Sequence, residues 1–130
     1  MTKSSGSSQI NQLLTEMNAE ADFPISVLAD SQGLPIAYAA SQGIDPERQS
    51  AVVALVQKVA LQVSKQLGMA EADEISFFDA NGQHLVCRPF QADEHNLILA
   101  VIVPDRDHNY RRATSHAVTE IRNILKTFWK

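Results

Sequence analysis

The chain has 130 residues, 45% of them apolar and 20% charged, with one cysteine and a formal net charge of −4. That length fits one domain with one core, large enough to fold without metal or disulfide staples. The acidic balance excludes the broad positive footprint that nucleic-acid backbones demand. Arg106, Arg111, Arg112, Arg122, Lys126 and Lys130 are interrupted by Asp105, Asp107 and Glu120, and read as a solvated helix face.

Residues 1–8 are rich in Ser and Gly and predict a flexible tail, with a single domain over residues 9–130. The tail has no apolar export core, and no later run is apolar for long enough to span a bilayer, so a cytoplasmic location is expected. Ile10, Leu13, Leu14, Met17 and Ala21 recur at helical spacing, with Ser8 placed to cap the helix and Phe23-Pro24 to stop it. Two apolar runs, Ile25–Ala29 and Leu34–Ala40, flank Asp30-Ser31-Gln32-Gly33, whose turn chemistry predicts a β-hairpin. Pro35 has no N–H to donate and so belongs at a strand start or on a sheet edge; the second strand is expected at an edge.

Gly43-Ile44-Asp45-Pro46-Glu47 is a helix start, with Asp45 as N-cap and Pro46 in the first turn; the helix runs to Leu67, where Gly68 ends it. Val52, Val53, Leu55, Val56, Val59, Ala60, Val63 and Leu67 fill an arc of about 160°, wider than the roughly 100° of a one-sided surface helix. Two readings stay open: part of the arc meets another chain, or all of it is core beneath a deep groove. Beyond the arc, Ala51, Ala54 and Leu61 stand among Lys58, Gln62 and Lys65, a side whose small residues admit a close neighbour.

Three strands are expected next, Glu74–Asp79, Gln83–Phe90 and Asn96–Val103, the first two joined by an Asn81-Gly82 hairpin turn. The third is the most apolar run in the chain and reads as a central strand covered on both faces. Adjacent Phe77 and Phe78 must point to opposite faces of the sheet. If their strand lies at an edge, its free N–H and C=O groups are a template for a second chain. A closing helix from about Asn109 buries Ala113, Ala117, Ile121, Leu125 and Phe128. The order is αββαβββα, with a mainly antiparallel sheet and helices on both faces.

The residues offer little chemistry. There is no phosphate-binding loop and no dinucleotide fingerprint. His84, His95, His108 and His116 are scattered and read as surface histidines, so no metal site is expected. Cys87 stands in an apolar strand and reads as a buried, inert thiol. Ser115 and His116 are adjacent on a helix and point about 100° apart, which is no nucleophile–base pair. No catalytic residue and no cofactor are expected, so the chain reads as a non-enzyme.

The hairpin Val27-Leu28-Ala29-Asp30-Ser31-Gln32-Gly33-Leu34-Pro35-Ile36-Ala37, then Gly43, then the long helix, resembles the Roadblock/dynein light chain family, including its bacterial MglB-like regulators. The resemblance extends over Ile10–Leu125. It implies a profilin-like α+β fold: a five-stranded antiparallel sheet with the long central helix on one face and the terminal helices on the other. It also implies a homodimer in which third strands pair edge to edge and long helices lie side by side. Carried onto this chain, the dimer interface comprises Val53, Gln57, Ala60, Leu61, Ser64, Ile75, Ser76, Phe77 and Phe78. The resemblance implies partners among Ras-like small GTPases or motor subunits, and the partner expected here is a Ras-like GTPase that is activated, exchanged or merely held. Its expected docking surface is Ala51, Ala54, Lys58, Leu61, Gln62 and Lys65, so Leu61 has two candidate roles. The rival reading is a PAS- or profilin-like domain that senses a small ligand, which needs polar groups converging in an apolar cavity.

Overall fold

A computed structural model describes residues 2–41, 43 and 45–128. Ile44 of the helix-start motif and Lys130 of the basic cluster lie outside the described residues. The elements are α1 (Thr2–Ala21), β1 (Ile25–Asp30), β2 (Pro35–Ala40), α2 (Pro46–Leu67), β3 (Ile75–Phe78), β4 (His84–Ala92), β5 (His95–Val103) and α3 (Arg111–Phe128). The strands form one antiparallel sheet in the order β2-β1-β5-β4-β3.

β5 is central, as its continuous apolar run requires. Leu97, Leu99, Val101 and Val103 face a layer made by α1 and α3, where Ile10, Leu14, Ile121 and Leu125 are buried. Ile98 and Ala100 face α2 and pack with Val53 and Cys87. The long helix therefore covers one face and the two terminal helices the other, as expected.

Local chemistry explains the boundaries. The Asp45 carboxylate accepts the Glu47 N–H at 3.0 Å at the start of α2, and Gly68 ends it with φ +69°. Asp30 and Asp79 work alike in the two hairpins. Asp30 accepts the N–H groups of Gln32 and Leu34 at 2.9 and 3.0 Å, and Asp79 those of Asn81 and Gln83 at 2.9 and 2.8 Å. Pro35 lies on an edge strand, as predicted. Pro89 is tolerated inside β4 because β3 pairs only with His84 to Cys87, so no strand lies on that side at Pro89.

The N-terminus departs from expectation. α1 begins at Thr2, not near Gln9, and Ser8 is an exposed residue inside it instead of its cap. Gly6 is buried, with the Phe128 ring 3.2 Å from where a Cβ would stand, so α1 packs on α3 at Gly6. Tertiary contact overrides the weak helix propensity of the Ser/Gly run.

Candidate interaction surface

α2 turns one side to its own sheet and leaves a long apolar side uncovered. Ser50, Val53 and Ala54 are buried, whereas Val52, Leu55, Val59, Val63 and Leu67, spaced three or four residues apart, are between 45% and 69% exposed. This corrects two expectations. Val53, assigned to a dimer interface, packs instead with Cys87, Ile98 and Ala100 of its own core. Ala54, assigned to a docking surface, lies beneath the β1–β2 turn, its Cβ 3.1 Å from where one would stand on Gly33. The helix is rotated from the expected setting because its small Ala54 and short Val53 fit close beneath the hairpin turn and over the small residues Cys87 and Ala100. The bulkier Leu55 and Val59 are left outward.

The other expected residues fall on two flanks. Gln57, Ala60 and Ser64 are half-buried, while Ala51, Lys58, Leu61, Gln62 and Lys65 are exposed. Sequence reasoning did not assign Leu55, Val59 and Val63 to the surface, although their helical spacing was the available signal.

β3 is the open edge of the sheet, paired only with β4. Its register sets Ile75 opposite Cys87 and Phe77 opposite Leu85, on the α2 face, and Phe78 opposite His84, on the α3 face. The two phenylalanines do point apart, as expected. Phe77 is 64% exposed on the same face of the sheet as the α2 stripe. Phe78 is held from behind: its ring stacks on His84 at 3.8 Å, and the Arg106 guanidinium lies 4.4 Å from its centroid. Glu74, just before β3, accepts hydrogen bonds from the Tyr110 hydroxyl at 2.6 Å, Arg111 at 2.8 Å and the Ser76 hydroxyl at 3.0 Å. These contacts tie the start of the strand to α3.

His84 corrects the surface reading of the histidines, since it is only 3% exposed and its Nε2 has no hydrogen-bond partner. Its place in the β4 alternation, two residues before buried Val86, turns it inward beside Tyr110. Burial lowers the imidazole below its ordinary value of 6.5; Glu74 opposes that shift and Arg106 adds to it. Burial also raises the Tyr110 phenol, helped by its bond to Glu74. Cys87 is buried as expected, and desolvation pushes its thiol up to about 12. Ser115 and His116 are exposed on α3, and the Ser115 hydroxyl accepts from Arg88 at 3.3 Å.

Between α2 and the β4–β5 hairpin runs an open groove of about 530 Å³, lined by Lys58, Leu61, Phe90, Asn96 and Arg122 among others. It joins two residues of the expected docking surface to a region that the sequence did not single out. No group of three metal-ligating side chains occurs among the described residues. No helix among them is long and apolar enough to cross a membrane.

An antiparallel sheet in this order, with one long helix on one face and two terminal helices on the other, is a Roadblock-like, profilin-type fold. The gliding protein MglB from Thermus thermophilus has a similar structure, with a TM-score of 0.75, 17% identity and coverage of 94% of this chain and 92% of that one. An MglB described as having a tetrameric arrangement is similar with a TM-score of 0.75 and 17% identity, covering 94% of this chain and 91% of that one. A Roadblock/LC7 domain from Streptomyces avermitilis is similar with a TM-score of 0.71 and 11% identity, covering 92% and 96% respectively. At these identities the likeness establishes the fold. No family model and no curated protein matches the sequence.

Proposed function

We propose that this chain is a non-catalytic, self-associating adaptor that binds and regulates a small GTPase of the Ras-like class. The observation that carries the reading is the uncovered apolar side of α2, Val52, Leu55, Val59, Val63 and Leu67, which lies on the same face of the sheet as exposed Phe77 at an open edge. So much aligned apolar surface is characteristic of an interface. A second copy offers the same stripe and the same free strand, so two-fold pairing covers both at once. Self-association also agrees with the tetrameric arrangement described for one MglB of this fold.

The GTPase is what the Roadblock resemblance implies, and the groove is where it would dock. Leu61 supplies an apolar anchor there, and Lys58, Arg122 and Glu71 supply charges of both signs along the groove. The test uses purified protein and Ras-like GTPases from the same source, each loaded with GDP or a GTP analogue. Light scattering should give twice the chain mass, and one loaded GTPase should add to it. A Leu61→Asp variant should stay dimeric and lose the GTPase. Retained GTPase binding would remove Leu61 from the docking surface, and a strictly monomeric wild type would end the adaptor reading.

A further inference from the structure

The two edges of the sheet are treated differently. β2 is Pro35-Ile36-Ala37-Tyr38-Ala39-Ala40, with no charged side chain and its only proline at the first position. A strand so uncharged is a template for addition of another strand unless something covers it. α1 covers it with side chains. The Ser7 hydroxyl donates to the Ile36 carbonyl at 3.4 Å and Asn11 Oδ1 accepts the Tyr38 N–H at 2.9 Å, both on the outward side of β2, while Asn18 Nδ2 donates at 3.0 Å to the Ala39 carbonyl, which faces β1.

Spacings of four and seven residues put Ser7, Asn11 and Asn18 within about 40° of one another at 100° per residue. This polar stripe adjoins the buried stripe of Ile10, Leu14 and Met17, so anchoring α1 in the core also seats the three polar side chains along β2. The close fit of Gly6 against Phe128 holds α1 to α3 one residue before Ser7. β3 has no comparable cover: among the described residues, no helix side chain bonds its backbone.

We propose that Ser7 and Asn11 form a strand-edge stop, occupying the outward-facing Ile36 carbonyl and Tyr38 N–H of β2 that a second copy of this chain would otherwise use, and so confining strand addition to β3. Pairing through one edge closes at two chains, whereas two open edges allow a growing ribbon. The proposal rests on the adaptor reading only in naming β3 as the edge left open for pairing.

The test is the double variant Ser7→Ala/Asn11→Ala, alone and in a Leu55→Asp background that breaks the proposed dimer. Alanine is a better helix former than serine or asparagine, so α1 is not weakened by propensity. Light scattering across a dilution series should show the wild type levelling off at two chains and the double variant growing past two. With Leu55→Asp present, the double variant should still associate while Leu55→Asp alone is monomeric. A folded double variant that adds no association in either background overturns the stop, whatever the wild-type mass. A monomeric wild type whose double variant associates keeps the stop and removes the dimer. Should the double variant not fold, amide exchange in Asn11→Ala decides. The Tyr38 N–H should exchange at least about fivefold faster once its acceptor is gone, and unchanged exchange overturns the proposal.

Discussion

Truncating Leu55 tests the proposed self-association most directly, because the side chain is 62% exposed and contributes little to its own core. Full burial of a leucine is worth about 1.5–3 kcal/mol, so covering the exposed part contributes about 1–2 kcal/mol per chain. A two-fold interface uses the residue twice, giving about 2–4 kcal/mol per dimer. At about 1.4 kcal/mol per tenfold, Leu55→Ala should weaken the dimer between about 30-fold and several hundredfold. The isolated chain should keep its stability within about 0.5 kcal/mol, as exposed substitutions generally do. Sedimentation equilibrium over a dilution series reads the dissociation constant, and thermal unfolding of the dilute monomer reads stability. A change in dissociation constant below about threefold would refute the reasoning, because the apolar stripe would then lie outside the contact.

Three further outcomes follow from the geometry. With its thiol near 12, Cys87 should resist alkylation in the native protein at pH 8 and react at once in urea; native labelling within minutes would contradict its burial. Burial holds His84 below 6.5 in the folded chain, so its contribution to stability is full above pH 6.5. As pH falls below that value the unfolded chain takes up the proton first and stability drops, until the pH has passed the folded value. Urea midpoints should therefore be lower in acid than at pH 8, and His84→Phe should flatten the difference; an unchanged slope would assign it to another group. Arg48 is the only arginine of α2 and lies exposed near its start, so Arg48→Ala should leave any stimulation of GTP hydrolysis largely intact. A loss beyond about a hundredfold without loss of binding would mean that this chain supplies an arginine finger.

Local chemistry made most of the fold legible. Asp45-Pro46 and Gly68 bounded the long helix, Asn81-Gly82 and Asp30 with Gly33 marked the hairpins, and the run from Leu97 to Val103 marked the central strand. Each signal depends on a few neighbouring residues, so it survives without knowledge of the rest of the chain. The strand of Pro35 does lie at an edge, although Pro35 is its first residue, a position where a missing N–H is tolerated in any strand.

Tertiary packing alone decided the features on which function depends. The apolar arc of α2 is so wide that periodicity could not say which part faces the sheet. The fit of Val53 over Cys87 and Ala100, with Ala54 under the β1–β2 turn, set the rotation and turned Leu55, Val59 and Val63 outward. His84 was buried by strand register, which a list of scattered histidines does not contain. The Ser/Gly start of the chain became helix through contact with Phe128 and the edge of β2, and only there did Ser7, Asn11 and Asn18 acquire partners. Helix rotation, sheet facing and edge cover depend on contacts between segments far apart in the chain, and so no local pattern of residues can carry them.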